Sequence, residues 1–368
     1  MANHGDVRHP LYIGCISGTS VDGLDLCAIR LNGDGCEFLA SQTTPFETEL
    51  QNTLLALGQP DRTWNIDELG EADARLGTFI GSAIVQFMSD QQIDPATVTA
   101  IGSHGQTIRH RPGIFTMQIG DPSRIVEICQ ITTVADFRRR DFAAGGQGAP
   151  LVPPFHQFLF PNQLGDVILN IGGISNISVL GDHVSGFDTG PGNALMDWWY
   201  AQHHPGEWFD PEGGWAAAGT IDHQLLEVFL EDPYFNQPAP KSTGREHFDG
   251  RWLQARIEDS ATSAQDIQAT LAEFTARTVA LEVTKHAPNA KAIWVCGGGR
   301  LNLHLMQRLA AQSNLVVSPV EQLGIDGDYI EAAAFGWLAH QTLQRLPGNS
   351  PATTGASGER ILGSVHWV

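Results

Sequence analysis

Over the first fifty positions apolar residues arrive in short runs bounded by glycine and small polar residues. LYIGCI and LDLCAIRL, both within 11–31, predict two strands joined by the turn GTSVDG. CEFLASQTT, after the NGDG turn at 32–35, predicts a third strand. The period then lengthens. Ile66, Leu69, Ala72, Leu76, Phe79, Ile80, Ile84 and Phe87 recur at helical spacing, so 66–92 is predicted as an amphipathic helix. VTAIGSHGQTIRH (98–110) reads as a buried strand running into a polar loop, and PSRIVEICQITT as a second helix. VADFRRRDFAAGGQGAPLVP (134–153) mixes Arg, Gly and Pro and is the expected crossing between domains.

The opening layout returns in DVILNIGGISNISVLGDHVSGFDTG (166–190). Both copies are strand, small polar turn, strand, short turn, strand. The layout implies a duplicated core, in lobes that face each other across a cleft, a favoured place for a ligand. The plainer reading is that any two β-meanders look alike. Helical spacing dominates 260–286; 291–312 is strand, glycine triplet and helix; YIEAAAFGWLAHQTLQRL (329–346) is a helix rich in Ala and Leu. PGNSPATTGASGER (347–360) reads as a linker or surface loop, and ILGSVHWV as a strand returning to the first lobe. The expected lobes are 1–133 with 347–368, and 134–346.

Composition narrows the function. The 368 residues allow one large or two medium domains, and their net charge is −20, from 21 Lys+Arg against 41 Asp+Glu. That balance argues against nucleic-acid partners and anionic membrane surfaces. It leaves room for an anionic small molecule met by a few local arginines. The five cysteines form no CxxC pair and sit mostly in strand-like runs, as in a reduced cytoplasmic protein. MANHGDVRHP carries no signal-like apolar core, and no apolar run reaches 18 residues.

Three strand-to-glycine junctions stand out: GTSVDG, GGISN and CGGGRLN. Glycine lets main-chain N–H groups approach phosphate oxygens, although a glycine turn taken alone is more often structural. The familiar nucleotide motifs do not fit. The lysines are Lys241, Lys285 and Lys291, and none completes a P-loop. GGGRLN and GPGNAL lack the last glycine of a dinucleotide fingerprint. GxSxG and HExxH are absent, and the 14 His are scattered.

Taken together, GTSVDGLD, SHGQT, DFRRRDFAAGGQGAPLVP, NIGGISN, FDTGPGNALMD, CGGGRLN, EAAAFGWLA and TTGASG resemble the anhydro-N-acetylmuramic acid kinase family, in order and over most of the chain. The chain is also similar to fungal levoglucosan kinases. The resemblance implies an α/β fold of two ribonuclease-H-like lobes of the actin-like ATPase type, with ATP and Mg2+ bound between them. It implies a small anhydrosugar substrate and a homodimer, while the charge balance and the lack of a long apolar run leave no nucleic-acid or membrane partner expected.

By this resemblance Gly18, Thr19, Ser20, Val21, Asp22, Gly23, Leu24 and Asp25 form the first phosphate turn. Asp22 is the candidate to hold Mg2+, directly or through water. Asp25 either joins it or positions the turn. Gly172, Gly173 and Asn176 belong to the second phosphate hairpin, and Gly297, Gly298 and Gly299 to the adenosine wall. Asp188 is the expected general base, which activates a water to attack the anomeric carbon; the freed O6 then takes the γ-phosphoryl group of ATP. Its plainer role is to cap the following helix. Arg138 is the candidate for the substrate's lactyl carboxylate, with Arg139 and Arg140 not separable from it by sequence. Ser103, His104, Gln106, Thr189, Gly190 and Glu331 are the other candidate sugar contacts. Taken alone, His104 reads as a core histidine and Glu331 as a helix-start acid. The remaining alternatives are a levoglucosan-type kinase and a non-catalytic nucleotide-binding protein.

Overall fold

The computed structural model describes residues 9–18, 21–33, 35–59, 63–111, 113–244, 247–258 and 260–368. Thr19, Ser20 and most of the polar N-terminal segment, all weighed above, lie outside the described residues. The strands among the described residues are β1 (Leu11–Ser17), β2 (Gly23–Asn32), β3 (Gly35–Pro45), β4 (Val98–Arg111), β5 (Phe115–Ile119), β6 (Thr133–Ala135), β7 (Val167–Ile171), β8 (Ile174–Val179), β9 (Ser185–Pro191), β10 (Ala292–Cys296), β11 (Val316–Pro319) and β12 (Ser364–His366).

The two sheets repeat one plan. In the first, β1, β2 and β3 form an antiparallel meander, and β4 then β6 add in parallel on the other side of β1. In the second, β7, β8 and β9 form the meander, and β10 then β11 add in parallel beside β7. This shared order is the duplicated ribonuclease-H-like α/β core. In the first sheet β12 pairs with β6, so the C-terminal strand does return there, and β5 pairs with β4. Among the described residues no helix is long and apolar enough to cross a membrane.

The chain forms two units, one from positions up to Leu159 and from Tyr329 onward, the other Phe160–Asp328. The boundaries expected at 133/134 and 346/347 therefore differ from those found. A glycine seam explains the later one. Gly14 on β1 and Gly102 on β4 are register partners. A Cβ on Gly14 would lie 1.8 Å from Ala332 O, and one on Gly102 1.9 Å from Phe335 O. The Ala-rich helix Ile330–Leu343 thus lies directly on the first sheet. The earlier boundary moves because Asp141 ties its loop to the C-terminal segment, as shown below.

Two further expectations change. SHGQT is not a loop: β4 runs on to Arg111, and its outer half pairs with β5. Gly105 makes this possible, because its φ of +69° kinks the strand without ending it, where a Cβ would meet Ile119 O at 2.2 Å. PGNSPATTGASGER is not a linker: Asn349, Thr353, Thr354 and Ala356 are buried, and Pro351–Thr354 is a short helix. The long helix Ile66–Asp90 forms as expected, started by a capping box in which Asn65 and Glu68 bond each other's main-chain N–H.

Candidate active site

In the first unit, the backbone is strained at Val21, just before β2. Val21 has a φ of +54°, a left-handed conformation rare for a β-branched residue. Its N–H donates to Gly18 O at 3.2 Å, and its carbonyl accepts from Gln51 Nε2 at 2.8 Å. Val21 and Leu24 place their side chains in the core, so at these two positions only the main chain is left for a ligand. Asp22 is exposed on the turn. Asp25 lies within β2 rather than in the turn, opposite Thr43 of β3, whose hydroxyl donates to Asp25 Oδ1 at 2.6 Å.

Strand alternation sorts the SHGQT residues. Ser103 is the register partner of Cys15, a core residue, and is 1% exposed, so it is turned inward rather than toward His104. Gln106 is buried and accepts from the Ser17 hydroxyl at 2.5 Å. His104 has one tautomer: Arg138 Nε donates to its Nε2 at 2.9 Å, so its Nδ1–H donates to Gly105 O at 2.9 Å. Burial, then the Arg138 charge, holds its pKa down to about 3, so the ring is neutral. Arg138 Nη1 also donates to Gly148 O at 2.7 Å. Arg139 instead faces Asp136 at 3.5 Å with its side chain well exposed.

Glu331 opens the helix that the glycine seam seats. Water reaches it, yet crowding by protein raises its carboxyl pKa, with Arg138 opposing the rise and Asp25 adding to it. Asp25, Arg138 and Glu331 therefore share one electrostatic neighbourhood, with His104 behind Arg138.

In the second unit, register places the chemistry on one face. Val295, Leu169, Ile177 and Phe187 are cross-strand neighbours and form part of the core. The next row is Cys296, Asn170, Asn176 and Asp188, on the opposite face. Asp188 does not cap the helix Ala194–His203; Asn193 stands at that position. Its Oδ2 accepts from Thr243 N at 3.0 Å. Thr189 is fully buried and donates to Ser175 O at 3.2 Å, so its side chain is turned into the protein. Gly190 has a φ of +142°, and a Cβ there would meet Phe235 at 2.9 Å.

The second glycine hairpin and the glycine triplet adjoin. The carbonyls of Gly172 and Gly173 accept from Asn193 N and Ala194 N, at the start of the following helix. A Cβ on Gly297 would lie 2.3 Å from Asn170 Oδ1, and one on Gly299 2.2 Å from Ile171 Cγ2. Gly298 differs: the nearest atom to its Cβ position is Asn193 Nδ2 at 4.0 Å. Arg300 fixes the triplet, with Nη1 donating to Gly297 O at 3.1 Å and to Asp328 at 2.6 Å, and Nε to Glu321 at 2.6 Å. These partners raise its pKa.

Sequence reading passed over several of these groups. Asp141, fully buried, accepts from Gly148 N, Asn349 Nδ2 and Thr354 Oγ1 at 2.8, 2.6 and 2.7 Å. It joins the loop carrying Arg138 to the C-terminal segment. Asn170, Tyr234, Lys241 and Thr243 were missed as well. Asn170 alone had a local signal, as the polar residue between Leu169 and Ile171 in an otherwise apolar strand. Among the described residues no three His, Cys, Asp or Glu side chains form a metal-holding group.

Comparison with known proteins gives consistent matches. The family model described as anhydro-N-acetylmuramic acid kinase matches residues 10–368. The anhydro-N-acetylmuramic acid kinase of Xylella fastidiosa (strain Temecula1) is 47% identical over 367 residues, covering 97% of this chain and 96% of that one. That of Coxiella burnetii (strain Dugway 5J108-111) is 45% identical over 365 residues, covering 97% of each. Among solved structures, component A of the Acidaminococcus fermentans (R)-2-hydroxyglutaryl-CoA dehydratase has a TM-score of 0.45 at 13% identity, covering 89% of this chain and 95% of that one. The ROK hexokinase of Thermus thermophilus has a TM-score of 0.39 at 15% identity, covering 90% and 99%.

Proposed function

The chain belongs to the anhydro-N-acetylmuramic acid kinase family, and from that premise we propose that it opens 1,6-anhydro-N-acetylmuramic acid with water and phosphorylates O6 from ATP. The products are N-acetylmuramic acid 6-phosphate and ADP, and the setting is peptidoglycan recycling. The observation that carries the mechanism is the placement of Asp188, on the sheet face opposite the core, with one carboxylate oxygen bonded to Thr243 N–H.

In this reading Asp188 takes a proton from water as the water oxygen attacks the anomeric carbon. The bond from that carbon to O6 breaks, and O6 becomes the acceptor of the γ-phosphoryl group. The turn Gly18–Gly23 and the hairpin Gly172–Asn176 bind phosphate through their main chains, and the open face of Gly298 receives adenosine. Mg2+ keeps most of its waters and takes one or two carboxylates beside phosphate oxygens. Asp22, an exposed carboxylate on the phosphate turn, fits that need and would hold the ion. Bound there, Mg2+ would neutralise charge on the transferring phosphoryl group.

Arg138 favours the muramic substrate over an uncharged anhydrosugar. Its guanidinium is oriented by His104 and Gly148, and a lactyl carboxylate is a suitable partner for it. Glu331, and with it Asp25, which shares its electrostatic neighbourhood beside Arg138 rather than lying in the phosphate turn, would accept from sugar hydroxyls. The proposal includes a cytoplasmic homodimer; the free cysteines support a reducing compartment.

Asp188→Asn tests the mechanism. Asparagine can still accept from Thr243 N–H but is no base. Turnover should fall about a thousandfold or more, with ATP affinity little changed. Turnover at the wild-type rate would remove Asp188 from the mechanism.

A further inference from the structure

Asp188 is held from behind by a buried network that the proposed reaction does not use. Tyr234 Oη donates to the Asp188 carbonyl at 2.5 Å, and Asp188 N donates to the Lys241 carbonyl at 3.0 Å. The main chain of Asp188 is thus gripped on both sides, while Thr243, two residues beyond Lys241, grips its side chain. Lys241 is itself anchored. Its ammonium group, 1% exposed, lies 2.7 Å from Glu282 Oε1 and over the Tyr234 ring at 4.7 Å. Glu282 comes from the helix Ala264–His286, whose Thr275, seven residues earlier on the same face, donates to the Pro191 and Gly192 carbonyls at 3.1 Å each. One face of one buried helix therefore supports both the segment that grips Asp188 and the strand end just beyond it.

We propose that Tyr234 and the Lys241–Glu282 ion pair are positioning residues for Asp188, fixing the carboxylate where it meets the attacking water; this rests on Asp188 being the general base. A buried ion pair adds little net stability over apolar residues of similar volume, because desolvation offsets the attraction. Its worth here is geometric. It sets where the 241–243 segment runs, and that segment sets the carboxylate. Burial, then the charges of Asp188 and Glu282, pushes the Tyr234 phenol pKa well up, so the hydroxyl remains a donor to the Asp188 carbonyl.

The test uses two variants of the whole chain: Tyr234→Phe, which removes one oxygen, and Lys241→Met with Glu282→Gln, which leaves no buried charge alone. Both are assayed for kcat and for KM toward ATP and 1,6-anhydro-N-acetylmuramic acid, normalised to folded protein, with Tm read separately. Misplacing a reacting group by about 1 Å costs up to about a hundredfold. The expected result is therefore a kcat fall of about ten- to a hundredfold in each variant, with both KM values within about twofold of wild type. Unchanged kcat with a lower Tm would make the network a scaffold only and overturn the proposal. Should the double variant fail to fold, Tyr234→Phe decides alone. A wild type that turns over while Asp188→Asn is equally active would instead overturn the reading of the base, and the proposal with it.

Discussion

The three glycines at 297–299 look alike in sequence but should respond oppositely to a single methyl group. Gly297 has φ +76° and ψ 169°, a region that glycine alone populates, and holding alanine there costs about 1–3 kcal/mol. The added Cβ would also lie 2.3 Å from Asn170 Oδ1 and 2.8 Å from Ile171 O. One of those neighbours is main chain in β7 and cannot move aside, so overpacking adds roughly 1–3 kcal/mol. The total for Gly297→Ala is about 2–6 kcal/mol, or a Tm lowered by roughly 5–20 °C for a unit of this size. Gly298→Ala meets no atom closer than 4.0 Å and begins a helical turn, where alanine is favourable. Its Tm should equal or slightly exceed that of wild type. If adenosine packs on that open face, the same methyl should raise KM for ATP by about tenfold and leave KM for the sugar alone. Thermal melts with and without ADP, and steady-state kinetics, give both readouts. A Gly297→Ala protein as stable as wild type would refute the steric argument. A Gly298→Ala protein with normal ATP kinetics would show that the triplet serves packing and not the nucleotide.

Other perturbations have equally definite outcomes. Arg138→Met should raise KM for the muramic substrate by about 10- to 100-fold, the worth of a charge-assisted hydrogen bond, and leave KM for ATP within about twofold; equal effects on both would remove Arg138 from the sugar site. Asp141→Ala strands three buried donors and should lower stability by roughly 3–5 kcal/mol in urea unfolding, so a loss under 1 kcal/mol would contradict the role given to that knot. His104 and His156, both buried, have pKa values lowered from 6.5 to about 3, by burial first and for His104 also by Arg138. Because their folded-state values lie below the unfolded one, the unfolded chain binds protons more readily, and stability that is complete above about pH 6.5 is lost on acidification. By pH 5 the loss is roughly 2 kcal/mol for each histidine, and urea unfolding at pH 7 and pH 5 measures it; equal stability at both would contradict the neutral assignments.

What was legible in the sequence was local. The meanders, the helix Ile66–Asp90 and the repeated layout follow from spacing and turn residues acting on near neighbours. What was not legible depends on partners far along the chain. SHGQT carries the marks of a loop, and it is its pairing with β1 on one side and with Phe115–Ile119 on the other that keeps it a strand. TTGASG has a linker's composition, and Asp141, more than two hundred residues away, makes it part of the core. The helix at 330–343 was assigned to the wrong unit because its sequence shows small residues but not the glycines of β1 and β4 that they meet. At the candidate site the groups proposed to react were visible as motif residues. Their supports were not, since Tyr234, Lys241 and Thr243 lie in a stretch whose importance comes only from its contact with Asp188.

The central claim is that this chain couples ring opening to phosphoryl transfer, and ADP release tests it most directly. The purified protein is given ATP and Mg2+ with 1,6-anhydro-N-acetylmuramic acid, N-acetylmuramic acid or levoglucosan, and the sugar product is examined for a 6-phosphate and an opened ring. The account predicts ADP from the first sugar alone, matched mole for mole by N-acetylmuramic acid 6-phosphate. ADP from levoglucosan alone, or none from any sugar with a folded protein that binds ATP, would contradict it.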